Sequence, residues 1–345
     1  MKRSVAGQVM RPTIRQVAQH ARVSVSTVSR VMRDHPDVSD ETRQAVQQVI
    51  DSLGYRPSLL ARGLILKRTN SLGLIVSDIT NPFYPQLAKG LEEAASTRGW
   101  VVIMGNTESD SSRTERHVDA MLERGVDGIV FASVTTGDET VPRLVDANYP
   151  VVLVNRRLAC VDTHYVVVDN VRGAELATTH LVELGHKRIA HITGPQYAAN
   201  TVERRQGYAL SLRNAGLEVS DDLVSAGDFS VRGGDGAMQR LLDLSEPPTA
   251  VFVTNDFMAL GALEAIKAAG LRWPDDLAVV GFDDIALAGS SLIELSTVSG
   301  RIYEMGARAV GILLDLITEA PPQRAVQEVL EPKLIVRRTC GGIPS

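Results

Sequence analysis

From Ser71 onward, short apolar runs alternate with segments of helical periodicity, and this alternation restricts the chain to a few folds. Leu72–Ser77 and Gly128–Phe131 are apolar runs of strand length, and Pro85–Arg98 has the spacing of an amphipathic helix. Short strands that alternate with helices are typical of parallel sheets covered by helices on both faces. Residues 71–340 are too many for one such sheet of ordinary size, so the pattern predicts two doubly wound lobes.

Polar side chains follow several of the predicted strands, at the sheet edge where ligands of such folds bind. Carboxylates and amides hydrogen-bond to vicinal hydroxyls, an arginine holds two oxygens, and an aromatic ring covers an apolar ring face. Any one of these residues is more often a loop residue or a helix cap, but their repetition at successive strand ends indicates a ligand site. The aromatic candidate is Phe229, and the polar candidates are Asp78, Asn81, Asn155, Arg156, Arg157, Asn255, Asp256, Asp283 and Asp284.

The chain lacks the sequence features of several protein classes. No apolar run approaches the ~18–20 residues of a membrane helix, and the basic N-terminal residues lack the apolar stretch of a signal peptide. The two cysteines, Cys160 and Cys340, are too few for a disulfide framework, so a reducing cytoplasm is the expected location. There is no G-x-S-x-G element, no phosphate-binding loop and no intact dinucleotide fingerprint, so we expect no catalysis, cofactor or metal.

The charge is divided unevenly along the chain. The net charge is -5, but residues 1–70 hold 12 Lys and Arg against 5 Asp and Glu, which gives this segment +7 and leaves −12 for the remainder. A basic head on an acidic body is typical of a head that meets a polyanion such as DNA. A basic helical domain without such a partner would have the same charge.

Residues 12–56 have the pattern of a small helix-turn-helix domain. Thr13 is predicted to cap a first helix, and Ser24 a second helix after a short break. A second helix with a short polar, arginine-bearing face suits the major groove of DNA, and a three-helix packing domain with a solvated arginine is the alternative. The predicted inward-facing residues of this helix are Thr27, Val28 and Val31, and the outward-facing ones are Val25, Ser26 and Arg30.

The segment Tyr55–Leu64 connects this domain to the body. Pro57 ends the previous helix or opens a new one, and Gly63 weakens a helix that is already too short to be stable alone. A segment of this kind can become ordered on a partner, with Leu64 as a wedge between DNA base steps. An ordinary linker is the alternative.

Several longer runs are similar to those of one known family. The head carries TIRQVAQHARVSVSTVSRVMRDHPDVSDETRQAVQQVIDSLGYRPSLLARGL, and the body carries SLGLIVSDITNPFY, RGVDGIVFAS, VVVDN, LGHKRIAHITG, TAVFVTNDFMALGAL and LAVVGFDD. These runs closely resemble the lactose/galactose repressor (LacI/GalR) family of bacterial transcriptional regulators. The resemblance covers about Pro12 to Thr339, which is nearly the whole chain.

The resemblance implies a fold and a domain organisation. The expected fold is α/β, with two doubly wound parallel-sheet lobes like those of periplasmic binding proteins behind a small all-α helix-turn-helix domain. The expected domains are the helix-turn-helix at 12–56, a hinge helix and linker at 57–70, and an effector-binding domain at 71–340. Its first lobe is expected at about 71–170 and 300–325, and its second lobe at about 171–299 and 326–340.

The resemblance also implies roles for individual residues. The hinge helix Ser58–Leu64 would order on DNA, with Leu64 entering the minor groove at the centre of a pseudo-palindrome. Arg205 and Asp283 would be the main pair that binds sugar hydroxyls. The predicted DNA-binding residues are Thr13, Ser24, Val25, Ser26, Thr27, Arg30, Ala61, Arg62 and Leu64. The predicted effector-binding residues are Asp78, Phe83, Asn155, Arg156, Thr201, Arg205, Phe229, Asn255, Asp256 and Asp283.

The sequence departs from the family pattern at three places. Gly300-Arg301 stands where the family often has Gln-Pro. The side-chain amide of that glutamine, a possible ligand contact that crosses between the lobes, is therefore not expected here. Residues Met1–Met10 precede the usual start, either as a basic arm that touches phosphates or because Met10 is the initiator. No leucine-heptad tail follows the final predicted strand, so a two-fold dimer is expected rather than a tetramer.

The sequence therefore predicts a cytoplasmic, nucleoid-associated transcriptional regulator, most simply a repressor. It would bind a pseudo-palindromic operator as a homodimer, without a membrane partner, under control of a small molecule. The predicted effector is a sugar or sugar derivative, while Arg156-Arg157 favours a phosphate or carboxylate, and a nucleobase is a further class. The alternative function is a sugar-binding protein without a regulatory role, and the attached head argues against it. An enzyme with a fused helical domain is a second rival, and the lack of catalytic motifs argues against that one.

Overall fold

The computed structural model describes residues 12–32, 35–55, 68–159, 161–319, 322 and 324–342. The chain divides into two units between Thr69 and Asn70, and the N-terminal unit is called the head and the C-terminal unit the body. Three predicted DNA-binding residues of the hinge lie outside the described residues, as do most of the hinge segment, the N-terminal arm and Cys160. These three residues are Ala61, Arg62 and Leu64.

The helices of the head begin at polar caps, as predicted for Thr13 and Ser24. The Thr13 side chain accepts a hydrogen bond from a first-turn N–H, and the side chains of Ser24 and Ser39 do the same for the next two helices. The third helix ends at Gly54, whose φ of 60° is a conformation that favours glycine. The helices are α1 (Ile14–His20), α2 (Val25–Val31) and α3 (Asp40–Leu53).

A small apolar core holds the head together. Val28 and Val31 of α2 are buried, as predicted, and Thr27 is half-buried. They meet side chains from α1 and α3 because apolar residues recur at helical spacing on each of the three helices. The buried core residues of the head are Val17, Ala18, Val28, Val31, Val46 and Tyr55.

The first lobe of the body contains one fully parallel sheet. Its spatial order is β11-β5-β4-β3-β1-β2. The strands are β1 (Ser71–Val76), β2 (Val101–Asn106), β3 (Gly128–Phe131), β4 (Val151–Val154), β5 (His164–Val168) and β11 (Gln327–Leu330). The helices of this lobe are α4 (Phe83–Ser96), α5 (Ser111–Glu123), α6 (Thr140–Asp146) and α11 (Ile302–Thr318).

The second lobe has the same construction. Its spatial order is β12-β10-β9-β8-β6-β7, and all neighbours are parallel except β12, which runs antiparallel to β10. The strands are β6 (Ile189–Thr193), β7 (Val224–Ala226), β8 (Ala250–Val253), β9 (Ala278–Asp283), β10 (Ser296–Ser299) and β12 (Lys333–Ile335). The helices are α7 (Asn170–Glu183), α8 (Ala199–Asn214), α9 (Val231–Leu242) and α10 (Asp256–Ala268).

The central strands are buried along their whole length. Every residue of β1, β8 and β9 is buried, which is the pattern of parallel strands covered on both faces. The doubly wound α/β fold predicted from the alternation is therefore confirmed. No helix in the described part of the chain combines the length and the apolarity that a membrane span requires.

The described chain passes between the lobes at three places, after β5, after β10 and after β11. The last passage differs from the expectation, which assigned residues 326–340 to the second lobe. β11 pairs in parallel with β5 of the first lobe, Gln327 with Tyr165 and Leu330 with Val168. β11 pairs with the outer edge of β5 and completes the first sheet. The chain then crosses to the second lobe at Glu331–Pro332.

Candidate functional site

A cavity of about 260 Å³ lies between the two lobes of the body. It is at the carboxyl ends of the parallel strands, where doubly wound folds bind their ligands, and it has the size of a small-molecule site. Seven of the ten predicted effector-binding residues line it. They are Asp78, Phe83, Asn155, Arg156, Phe229, Asn255 and Asp283.

A buried ion pair forms the second-lobe side of the cavity. Arg204 Nη1 lies 3.6 Å from Asp283 Oδ1, with side-chain exposures of 2% and 7%. The same guanidinium donates hydrogen bonds to Asn170 Oδ1 at 2.9 Å and to the Thr254 carbonyl at 2.5 Å. Its carbon lies 3.5 Å from the centre of the Phe282 ring. Burial lowers the pKa of Arg204 and raises the pKa of Asp283, and the attraction between the two groups opposes both shifts.

Ligand binding was predicted for Arg205, but the arginine of α8 that lines the cavity is its neighbour Arg204. Arg205 does not line the cavity, and its half-exposed guanidinium pairs with Asp221 at 2.9 Å on the outside of the second lobe. Consecutive residues of a helix point about 100° apart, and Arg204 is the one on the inward face. The buried face of α8 consists of Asn200, Thr201, Arg204, Gly207, Tyr208, Ser211 and Leu212.

Two further predicted contacts, Thr201 and Asp256, do not line the cavity. Thr201 is fully buried on the inward face of α8. Asp256 is fully buried and accepts hydrogen bonds from the Thr297 hydroxyl at 2.6 Å and from the Ile285 N–H at 3.0 Å. Burial and the nearby Asp283 raise the pKa of Asp256. Asp256 thus ties the start of α10 to β10 and to the loop after β9.

Arg156 reaches the cavity from the first lobe. Its side chain is buried, and its guanidinium carbon lies 5.1 Å from the ring centre of Phe229 in the second lobe. Within the described residues, Arg156 Nε and Nη1 are buried and have no hydrogen-bond partner. Buried N–H groups are seldom left without an acceptor, so these two donors are suited to hold ligand oxygens.

The backbone is held in unusual conformations around the cavity. Asn155, Phe229 and Asp283 have φ values of 66°, 70° and 120°, a region that residues other than glycine rarely adopt. Strained residues of this kind cluster at functional sites. Gly194 allows the Phe229 ring to approach, because a Cβ at Gly194 would lie 2.4 Å from that ring and 2.7 Å from Thr201 Oγ1.

Two of the polar lining residues also stabilise local structure. Asn255 caps α10, accepting a hydrogen bond from the Met258 N–H at 3.0 Å. Asp78 Oδ1 accepts hydrogen bonds from the Thr80 N–H and hydroxyl at 2.9 Å and 2.7 Å. The helix-cap alternative is therefore correct for Asn255, while Asp78 closes a turn before α4.

The sequence analysis missed nine residues that line the cavity, and it named a tenth, Asn81, as a polar residue after the first strand. Arg204 and Asn200 lie on the buried face of α8, but this face also holds other polar residues, so no apolar stripe marks it in the sequence. Glu108 and Ser109 follow β2, and their positive φ values of 53° and 57° are not visible in the sequence. The missed residues are Ser77, Tyr84, Glu108 and Ser109 in the first lobe and Tyr197, Asn200, Arg204, Asp228 and Ser230 in the second.

The head presents the side chains expected on its second helix. Val25, Ser26 and Arg30 are exposed, and Val25 exposes 41% of its surface. Thr27 and Ser24 are engaged with each other, since their hydroxyl oxygens lie 2.8 Å apart and the Thr27 N–H donates to Ser24 Oγ. These two residues therefore fix the start of α2, while the exposed trio forms the surface of the helix.

The Gly300-Arg301 departure from the family pattern takes no part in the cavity. Arg301 has a φ of 51° and precedes α11, and its guanidinium forms an ion pair with Glu304 at 2.5 Å. Neither residue lines the cavity. In the described part of the chain, no group of three or more His, Cys, Asp or Glu residues is placed to hold a metal ion.

Two known protein families match this chain, one over the head and one over most of the body. The family described as "Bacterial regulatory proteins, lacI family" matches residues 13–58. The family described as "Periplasmic binding proteins and sugar binding domain of LacI family" matches residues 69–330, which is most of the body. These matches cover the helix-turn-helix and both lobes.

Individual relatives match over nearly the whole chain. The ribose operon repressor of Halalkalibacterium halodurans is 37% identical over 330 residues, which cover 96% of this chain and 97% of the relative. The structure of a transcriptional regulator CelR–cellobiose complex is 37% identical, covers 95% of this chain and 100% of its own, and has a TM-score of 0.74. The structure of the Lac repressor dimer bound to operator and an anti-inducer is 27% identical, covers 95% of this chain and 99% of its own, and has a TM-score of 0.86. The chain belongs to the LacI family of bacterial regulatory proteins.

Proposed function

We propose that this chain is a sugar-responsive transcriptional repressor that binds a pseudo-palindromic operator as a homodimer. The observation that carries the proposal is that one chain has both an exposed α2 surface and a cavity between two lobes. Within the described residues, Arg156 Nε and Nη1 at this cavity have no hydrogen-bond partner. Relatives named as repressors and regulators support it. These relatives are regulators rather than enzymes, and we propose a non-enzymatic role that is exercised on DNA in the cytoplasm.

The proposed DNA contact uses α2 of the head. Its exposed Arg30 suits a guanine edge or a phosphate, Ser26 suits a base or the backbone, and Val25 suits a thymine methyl group. The sequence segment 57–70 is proposed as the hinge that orders on DNA, with Leu64 as its wedge. A second copy of the chain would present the same helix to the other half-site.

The proposed effector is a compact, neutral sugar. The Arg156 and Arg204 guanidinium groups donate to hydroxyl or ring oxygens, and Asp283 and Asn255 accept from or share hydroxyls. Phe229 supplies an apolar face for a sugar ring. The lining also contains the acids Asp78, Glu108 and Asp228, so acids outnumber arginines in the lining, and this balance disfavours a phosphorylated ligand or a sugar acid.

The proposed dimer uses apolar surface of the first lobe. The edge strand β2 exposes Val101, Ile103 and Met104, which are 59%, 37% and 40% accessible. An exposed apolar edge strand is a site for pairing with another chain. Two copies related by a two-fold axis would cover this edge in both chains at once.

The proposed mechanism is a shift between two arrangements of the lobes. The sugar would favour one arrangement by contacting both lobes, and the hinge would pass the change to the heads. A ligand acts on such an equilibrium only through its different affinities for the two states. A coupling of ~1–3 kcal/mol would change operator affinity by roughly 5–150-fold.

The test is a thermal-shift screen of the full chain, followed by an operator titration. The panel contains D-ribose, D-glucose, D-galactose, D-xylose, cellobiose, ribose 5-phosphate, glucuronate and adenine. A ligand at 100 times its dissociation constant adds ~2.7 kcal/mol of stability. We expect a neutral sugar to give the largest shift and to change operator affinity. A sugar that stabilises the protein and leaves operator affinity unchanged would support the alternative, a sugar-binding protein without a regulatory role.

A further inference from the structure

A row of polar contacts leads from the cavity to a contact between the two lobes. Arg204 Nε donates to Asn170 Oδ1 at 2.9 Å, and Asn170 Nδ2 donates to Glu203 Oε2 at 2.8 Å. The other carboxylate oxygen, Glu203 Oε1, accepts from Arg157 Nη2 at 2.9 Å and from Arg157 Nε at 3.2 Å. Arg157 follows β4 in the first lobe and Glu203 lies on α8 in the second, so the last contact bridges the cleft.

Asn170 occupies the middle of this row and also the passage between the lobes. It is the first residue of α7, and its side chain is buried at 2% exposure. The preceding residue, Asp169, still donates its N–H to the Leu330 carbonyl at the end of the first-lobe sheet, at 3.0 Å. Asn170 therefore lies at a crossing of the backbone between the lobes, where the backbone bends if the angle between the lobes changes.

The chemistry of the row suits an asparagine at this position. A guanidinium group only donates hydrogen bonds and a carboxylate only accepts them, so the side chain between Arg204 and Glu203 must accept on one side and donate on the other. An amide does both. An aspartate at this position would face the Glu203 carboxylate without a donor, and an alanine would contact neither group.

The two ends of the row differ in their surroundings. Arg204 is fully buried against Asp283, whereas Arg157 is half-exposed, lies 5.9 Å from the ring centre of Tyr165 and has its pKa raised by Glu203. Breaking the Arg157–Glu203 contact exposes two groups that water can solvate. Breaking the Arg204 end leaves a buried charge with fewer partners, so the inner end is rigid and the outer end can open.

We propose that Asn170 is a positioning residue that couples the cavity-facing Arg204 to the Arg157–Glu203 contact between the lobes. This proposal rests on the proposed function of the cavity as the effector site. A ligand that fixes the Arg204 guanidinium also fixes the Asn170 amide, and the amide holds the Glu203 carboxylate towards Arg157. Occupation of the cavity and closure of the cleft are thereby linked through side chains of this chain.

The experiment measures the opening of the cleft directly, without any sugar. Ser111 and Arg232 are exposed residues in the first turns of α5 and α9. They come two residues after Ser109 and Ser230, which line the cavity from opposite lobes. Nitroxide labels on Ser111→Cys and Arg232→Cys, in full-length protein with both native cysteines replaced by serine, report the distance across the cleft mouth by pulsed electron paramagnetic resonance.

We expect Asn170→Ala to shift the ratio of short to long distances by about tenfold towards long distances, a value typical of losing a hydrogen bond to a charged group. Arg157→Ala, a change of a half-exposed residue, is expected to shift it in the same direction. The double variant Arg157→Ala/Asn170→Ala should shift no further than Arg157→Ala alone, because Asn170 acts on the cleft through the contact that Arg157→Ala removes. The matched control is Arg205→Ala, which removes the neighbouring exposed ion pair with Asp221 within one lobe and should leave the distances unchanged.

Two results would overturn the coupling. Distances that are the same in the parent, in Asn170→Ala and in Arg157→Ala would show that the row does not hold the cleft closed. Shifts that add in the double variant would show two separate contacts rather than one row. A merely structural role for Asn170 would lower the melting temperature without changing the distances. Because no sugar is present, failure of the sugar screen and failure of this measurement are separate outcomes.

Discussion

The Arg204 guanidinium and the Asp283 carboxylate lie 3.6 Å apart on the wall of the cavity, and both side chains are buried. Burying two charges is unfavourable unless geometry and additional hydrogen bonds compensate, and Arg204 has such bonds to Asn170 and to the Thr254 carbonyl. An ion pair of this kind is weak evidence for stability by itself. Its position at the carboxyl ends of the strands of the second lobe supports the proposed role of the pair in ligand binding.

The first prediction separates Arg204 from its neighbour Arg205. Arg204→Ala should abolish the thermal shift produced by the sugar that stabilises the parent most, and should lower the unfolding free energy by about 3–5 kcal/mol because Asp283 loses its partner. Arg205→Ala, at an exposed pair, should keep the thermal shift and change the unfolding free energy by less than about 0.5 kcal/mol. Calorimetric melts with and without the sugar measure both effects. Loss of the shift in Arg205→Ala alone would contradict the assignment.

The second prediction concerns pH. Burial raises the pKa of Asp283 to about 7 from the ordinary 3.8, with Arg204 and Arg156 acting in the opposite direction. The folded protein therefore holds this proton more tightly than the unfolded chain, so the stabilisation is complete below the unfolded pKa of 3.8 and is lost as the pH rises through about 7. The raised pKa of Asp256 acts in the same direction. We expect the melting temperature to fall between about pH 4 and pH 7, and to fall less in Asp283→Asn. Identical pH profiles for the two proteins would disprove this role of Asp283.

The third prediction compares two valines of one helix. Val28 is fully buried in the core of the head, and Val25 is exposed on the same helix. Val28→Ala should lower the unfolding free energy of the head by about 2 kcal/mol through lost packing. Val25→Ala should leave stability unchanged and weaken binding to a duplex selected by the parent by about tenfold, with non-specific binding unaffected. Thermal melts and fluorescence-anisotropy titrations decide the matter, and equal DNA affinity for Val25→Ala and the parent would refute the proposed contact.

The fourth prediction concerns the close approach of Phe229 to Gly194. A Cβ at Gly194 would lie 2.4 Å from the Phe229 ring, so Gly194→Ala should displace that ring from the cavity and weaken sugar binding by at least tenfold. The control is Gly236→Ala, inside α9, where the nearest atom to a new Cβ is the Arg240 guanidinium at 3.6 Å. This change should raise stability by about 0.5–1 kcal/mol through helix propensity. Isothermal titration with the best sugar tests the pair, and unchanged affinity in Gly194→Ala would contradict the account.

The parts of the fold that the sequence predicts well are the central strands and the capped helices. β1, β8 and β9 are buried along their whole length, because helices cover both faces of the sheet. Strands at or next to a sheet edge are harder to predict. The edge strands β7 and β11 are short and half-exposed. β10 lies next to the edge strand β12 and contains Ser296 and Thr297, whose hydroxyls donate to Cys340 Sγ and Asp256 Oδ1, both distant in the chain.

The parts of the site that the sequence predicts are the residues that follow central strands. Asn155, Asn255 and Asp283 are found where strand order alone places them. To decide which residues of α8 face the cavity, the rotation of the helix about its axis must be known, and this helix has no clear apolar stripe because its buried face includes Asn200, Thr201 and Arg204. The resemblance assigned the contact to Arg205, one residue beyond the inward-facing Arg204. The sequence also does not show that the Asp256 carboxylate accepts hydrogen bonds from Thr297 and Ile285, which are distant in the chain, and does not line the cavity.

The most direct test of the account is the affinity of the full-length chain for a selected operator duplex, measured by fluorescence anisotropy with and without the sugar that stabilises the protein most. The account predicts that the parent prefers one pseudo-palindromic sequence and that the sugar changes this affinity by roughly 5–150-fold, with the change lost in Arg204→Ala. Equal affinity with and without a sugar that clearly binds would contradict the account, since the cavity would then have no influence on the head.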